Sequence, residues 1–200
     1  MVMTYPIRRM KTCAVCGQEV RVTEIASYST MGYTLDGRPL TLGADIIPMM
    51  IQHCRGCGYC ATDIGRPPKD PSIVKDPKYA RLGSGRSPAT HYEAAGYIKE
   101  SEGDFEFASF MYLRSAWLLE DHGRNGMAKR LRADALRCFE KVGKDGLEYT
   151  LHRMELMRTV GRIDEAKALY EQVRDAPEEY QPFLGHIKEY LDVGSSEPDR

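Results

Sequence analysis

The chain has 200 residues, with 28 Lys+Arg against 29 Asp+Glu, a formal net charge of −1 and a pI near 6.5. A balance this close to neutral gives no basic field of the kind that draws in phosphate backbones. With 42% hydrophobic and 28% charged residues, the composition is that of a folded globular chain, not a disordered, collagenous or membrane one, and the length allows one large or two small domains.

The stretch Met1 to Lys11 carries arginines and no apolar segment, so it does not read as a signal peptide. The longest apolar run, Ile46 to Ile51, is short and broken by Pro48, so no membrane span is expected and the cytoplasm is the expected location. Next in the chain comes Cys13-Ala-Val-Cys16-Gly17, matched further on by Cys54-Arg-Gly-Cys57-Gly58. In each C-x-x-C-G knuckle two thiolates of a tight turn can face one ion, and the closing glycine can adopt φ > 0. Two such pairs complete a tetrahedral sulfur shell, which suits zinc or a single iron and leaves no open position for substrate. A disulfide framework belongs to secreted chains, and a thioredoxin-like pair needs one C-x-x-C at a helix start. Cys13, Cys16, Cys54 and Cys57 are therefore the expected metal ligands, zinc the expected metal, and iron the alternative. Over residues 1–70 eight basic residues face six acidic ones, a surplus that four thiolates on one divalent ion would cancel.

Between the knuckles, Glu19 to Ile25 alternates polar and apolar residues, the period of a half-buried strand. Asp36-Gly37 marks a turn, and Ile46 to His53 reads as a strand delivering the second knuckle, starting after Pro48 or lying on an edge. Together these describe a zinc ribbon with a long internal loop over residues 1–64, dependent on its metal for much of its folding free energy. Residues 65–87 are rich in Gly and Pro and read as a connector that packs on the body, with Asp76-Pro77 opening a short helix through Leu82. Gly83-Ser-Gly85 is no phosphate loop, because Pro88 stands where a third glycine would be.

From Ser87-Pro88 the pattern predicts six helices: Pro88–Ser101, Asp104–Asp121, Asn125–Val142, Leu147–Val160, Asp164–Arg174 and Pro182–Val193. Residues 88–193 form the helical domain and 194–200 a disordered tail. The second of these helices is apolar over most of its circumference, as a helix buried between neighbours should be. The third is amphipathic, with Met127, Leu131, Ala135, Cys138, Phe139 and Val142 on one side and Arg130, Arg137, Lys141 and Lys144 on another. Gly161-Arg-Ile-Asp-Glu-Ala166-Lys-Ala-Leu-Tyr170 matches the turn and second helix of a tetratricopeptide repeat, and Ala135 with Phe139 repeats its small-then-aromatic step. The loop at Gly123–Met127 and the missing first-helix signature depart from that repeat. The expected fold class is α+β: a small zinc-ribbon β module followed by an all-α, TPR-like array of helical hairpins.

Taken together, the knuckles, Leu35-Asp-Gly-Arg-Pro39, Met50 to Asp63, Phe110 to Asp121 and the Gly161–Tyr170 turn resemble a bacterial family designated domain of unknown function 2225. The resemblance spans most of the chain. It implies four cysteine ligands at Cys13, Cys16, Cys54 and Cys57, a zinc-ribbon-like front and a TPR-like rear, and it carries no activity. Members commonly have proline after the first cysteine of the second knuckle, where this chain has Arg55.

Other candidates read more plainly. Cys60 extends the second knuckle, as a reactive thiol or, on the favoured reading, a small packed residue. Cys138 belongs to an apolar helix face, and His53 to a strand, since four cysteines already close the shell. His91, His122, His152 and His186 are dispersed, with no zinc-protease, nucleophile-elbow or P-loop motif beside them. The basic stripe from Arg130 to Lys144 reads as a solvated face, and Asp36 with Arg38 as a turn-stabilising pair. No residue set earns a catalytic role. The expected function is a non-catalytic scaffold with a structural four-cysteine zinc site, taking a protein or peptide partner in a groove between helical hairpins. A rubredoxin-like iron protein and a nucleic-acid-binding ribbon are the alternatives.

Overall fold

The computed structural model describes residues 5–42 and 44–199; residues 1–4 of the expected metal module, Gly43, and Arg200 of the expected tail lie outside them. Among the described residues the front is made of three two-stranded antiparallel sheets. Strand β1 (Tyr5–Thr12) pairs with β2 (Glu19–Ser27), β3 (Thr30–Tyr33) with β4 (Pro39–Thr41), and β5 (Gln52–His53) with β6 (Cys60–Ala61). The alternating stretch from Glu19 is β2, as expected, but its partner β1 lies almost wholly exposed and carries no hydrophobic period to announce it. Asp36-Gly37 does turn the chain, with Gly37 at φ 83° between β3 and β4.

The strand expected over Ile46–His53 is mostly absent. Ile47–Met49 forms a 3-10 turn and only Gln52–His53 joins a ladder. Pro48 fixes φ and lacks a donor, and the Asp45 carboxylate accepts the Ile47 amide at 3.0 Å, so the chain coils here. The reward is burial of both neighbouring isoleucines, Ile46 and Ile47, against the helices.

The rear contains seven α-helices among the described residues: α1 (Pro77–Gly83), α2 (Pro88–Ser101), α3 (Phe105–Glu120), α4 (Asn125–Phe139), α5 (Leu147–Val160), α6 (Ile163–Val173) and α7 (Gln181–Asp192). Side-chain caps start three of them. Asp76 accepts from the Lys78 and Tyr79 amides, Ser87 from Thr90, and Asp104 from Phe107, each satisfying donors a helix start leaves orphaned. Gly161, at φ 93°, closes α5 in the left-handed conformation that favours glycine. The third expected helix stops at Phe139, three residues short of Val142. Helices α2 to α7 pack on one another in chain order. Helix α3, between α2 and α4, buries Met111, Leu113, Ala116 and Trp117 among others.

Front and rear share one apolar cluster, in which Ile46, Ile47 and Ile64 meet Tyr79, Tyr92 and the α3 side chains. The connector is part of this packing. Tyr92 donates its hydroxyl to the Ile47 carbonyl at 2.7 Å, and Tyr79 donates to the Gly58 carbonyl at 3.1 Å. Gly83 lies so close to the second knuckle that a Cβ there would stand 2.6 Å from the Gly58 oxygen. That close approach explains Gly83 without any phosphate.

Charges are buried as well. Asp36 does not pair with Arg38; it takes an ion pair from Arg132 at 2.8 Å, the Trp117 indole N–H at 2.7 Å and the Thr34 hydroxyl at 2.6 Å. Burial by itself would raise this carboxyl, but Arg132, Thr34 and Trp117 outweigh it and hold it below the usual range. Arg132 also meets Glu120 at 2.6 Å, while Arg38 forks onto Asp121 at 2.8 and 2.7 Å.

Residues 195–199, within the stretch expected to be a disordered tail, contact the body. Arg158, fully buried and paired in a fork with Glu155 at 2.7 Å, donates to the carbonyls of Ser195 and Glu197, at 2.9 and 2.7 Å. The Asp199 carboxylate then accepts the Leu35 amide at 3.0 Å. A buried guanidinium must fill its donors, and the tail carbonyls are what it finds.

Two predictions follow from the buried polar groups. Asp36→Ala takes from Arg132 one of its two carboxylates and leaves the indole donor unpaired, and is expected to cost about 2–4 kcal/mol in urea unfolding. His152, its Nε2 enclosed without a partner and its ring edge-on to Phe139, is pushed by burial down to about 4. The folded protein thus binds fewer protons than the unfolded chain between pH 6.5 and 4, and loses stability as pH falls through that window. His152→Phe should remove roughly 2–3 kcal/mol of this loss, read from urea midpoints at pH 7 and 4.5 in both proteins.

Candidate metal centre

The two knuckles are built alike, each at the closed end of a hairpin. In the first, the Cys13 amide donates to the Gln18 carbonyl at 2.9 Å and the Gly17 amide to the Cys13 carbonyl at 2.9 Å. In the second, Cys54 donates to Tyr59 and Gly58 to Cys54, both at 2.8 Å. Gly17 and Gly58 sit at φ 75° and 77°, the left-handed region a Cβ would make costly. The first knuckle extends the β1–β2 ladder past the Thr12↔Glu19 pair, and the second extends β5–β6 past His53↔Cys60. A cross-link joins them: the Ala14 amide donates to the Ile64 carbonyl at 2.9 Å. Lys11 adds an ion pair to Asp63 at 2.8 Å.

This framework brings the four expected sulfurs together. The Cys13, Cys16, Cys54 and Cys57 sulfurs all lie within 4.8 Å of one another. Cys13 and Cys57 are 3.7 Å apart, Cys16 and Cys54 3.6 Å, and none is bonded to another. A tetrahedral shell with metal–sulfur bonds of about 2.3 Å needs sulfurs about 3.8 Å apart, so the spacing fits one ion. The four cysteines could therefore hold a metal. All four corners would be thiolate, which leaves no position for a reacting group.

Burial pushes the Cys54 and Cys57 thiols above the ordinary range, whereas the Gln18 backbone amide lowers Cys16. Two thiols that resist ionisation, in a cluster of four, need a cation to hold them as thiolates. Cys60, by contrast, is buried outside the cluster, its sulfur 3.3 Å from the Gly58 carbonyl and its thiol raised by burial to about 12. That is the packed small residue expected of it. Cys138 is likewise fully buried on α4.

The remaining candidates have structural roles. His53 sits in β5 and stacks on His91, ring centroids 4.1 Å apart. The basic stripe along α4 and the loop after it is paired internally and does not face solvent unpaired: Arg130 meets Glu93 at 2.9 Å, Arg137 forks onto Glu100, and Lys144, beyond the helix, meets Glu106 at 2.6 Å. Arg137 in turn draws the Glu100 carboxyl down to about 2. His91 and Arg132 gave no signal in the sequence, because a lone histidine or arginine in a helix reads as surface.

No family model, curated protein or solved structure matches the chain. The reading of the site rests on its own geometry.

Cobalt titration of the metal-free protein should give the intense visible bands of a tetrahedral four-thiolate site at one ion per chain. Cys54→Ser should shift or abolish those bands and weaken binding by at least tenfold.

Proposed function

We propose that this is a zinc-stabilised protein-interaction scaffold: Cys13, Cys16, Cys54 and Cys57 hold one structural zinc ion, and the helical rear, read as a TPR-like array, backs a zinc-ribbon-like front that meets a protein partner. Membership of the domain of unknown function 2225 family is part of the same proposal and rests on the sequence motifs. Zinc suits a closed thiolate shell with structural work to do, here buried at Cys13 and Cys54 and exposed at Cys16. Iron would give a red protein, and zinc a colourless one.

The observation that carries the interaction reading lies on the β3–β4 hairpin. Met31 and Tyr33 on β3 are 69% and 62% exposed, and Leu40 on β4 with Leu42 just beyond it is exposed too. The four side chains lie on or beside one short hairpin, whose register shifts between Thr30 and Tyr33. A hairpin held this firmly from below has no structural need for them. Clustered exposed apolar residues on a rigid element favour contact with another protein. This moves the docking surface from the expected groove between helical hairpins to the front module.

Zinc at one equivalent per chain in colourless purified protein is the expected elemental result. A protein captured by the wild type should be lost from Met31→Asp combined with Leu40→Asp, with zinc content and helicity unchanged. A partner held equally well by that variant would overturn the docking surface, and a red, iron-loaded protein would overturn the metal.

A further inference from the structure

We propose that the groove crossing the second knuckle, between β2 and α1, binds a short stretch of single-stranded nucleic acid. The groove consists of two adjoining clefts of about 770 and 660 Å3 that share His53, Arg55 and His91. Arg86 lines the first and Arg21 the second, and Glu19 is the one carboxylate lining either among the described residues. On the helical rear the α4 arginines Arg130, Arg132 and Arg137 are spent on neighbouring carboxylates, whereas Arg21, Arg55 and Arg86 form no ion pair among the described residues. Free guanidiniums gathered along one groove select an anion.

The ring pair selects which anion. His53 and His91 stack at 4.1 Å with 21° between their planes, and both rings border both clefts. Their Nε2 atoms lie 2.9 Å from the Gly83 carbonyl and 3.0 Å from the Gly85 carbonyl, so each Nε2–H donates and the stack is fixed in place. Flat rings beside guanidiniums match alternating bases and phosphates. An acidic peptide would use the arginines and leave the rings idle. A duplex needs a wide basic face, which a chain of net charge −1 does not offer. The proposal requires the metal-held knuckle and is independent of the β3–β4 docking surface.

Fluorescence polarisation with a mixed-sequence single-stranded 12-mer, titrated with the metal-loaded full chain, tests it. Two to three phosphate contacts predict affinity falling by about sevenfold to twentyfold between 50 and 200 mM salt. Arg55→Glu with Arg86→Glu should weaken binding at least tenfold, and His91→Leu should weaken it without changing the salt slope. Arg174→Glu, just past the end of α6, should leave it unaltered. Metal content is measured on every variant, and Arg86→Glu alone, outside the knuckle, replaces the double variant if that loses its ion. Absence of saturable binding at 50 mM salt overturns the proposal. So does equal affinity for a duplex, a mononucleotide or polyglutamate, or indifference to the charge reversals.

Discussion

Ladders of two or three residues bury too little to hold a fold, and two of the three sheets in this protein are of that size. The front module must therefore be clamped from outside its own hydrogen bonding, and two clamps do this. At one end four sulfurs converge from two hairpins that are 38 to 44 residues apart in the chain. At the other, a hairpin tip inserts the Asp36 carboxylate between Arg132, Trp117 and Thr34. Between the clamps Ile46, Ile47 and Ile64 sink into the helical core. Loss of either clamp leaves short ladders to bear what they cannot.

The polar interior of this protein is costly, and its arrangement limits that cost. Arg132 and Arg158 are nearly or fully buried, and each is answered by carboxylates in forked or near-forked geometry. Neither pair adds much stability over well-packed apolar residues. What each adds is uniqueness, because only one placement of the Asp36 hairpin or of residues 195–197 satisfies the guanidinium. The same accounting leaves the surface divided: Arg130, Arg132 and Arg137 on α4 are consumed in holding α2 and α3, while Arg21, Arg55 and Arg86 around the second knuckle form no ion pair among the described residues.

The helices were legible because their ends are chemical. Ser87-Pro88, Asp76-Pro77, Asp104 and Gly161 are caps whose effect is local, so the sequence alone locates them. The ligand set was legible for the same reason, since a C-x-x-C-G turn brings its own two sulfurs together. What could not be read depended on distant partners. Tyr5 to Thr12 is a strand only because β2 offers it a ladder, and its exposed side chains leave no period. Ile46 to His53 looked like a strand because an apolar run does not say whether it is extended or coiled; Pro48 and the Asp45 carboxylate on the Ile47 amide decided it. Asp36 read as a turn residue and Arg132 as surface, and their pairing needs the whole fold to exist.

The anchoring of the final residues bears on how the protein is made. The Leu35 amide waits for a carboxylate 164 positions further along the chain, and Arg158 waits for carbonyls 37 and 39 positions on. While translation proceeds, the helices can assemble one after another behind the ribosome as each emerges. The hairpin that carries Met31 and Tyr33 can be clamped as soon as Trp117, Asp121 and Arg132 have emerged, and its Leu35 amide gains a partner only when Asp199 follows.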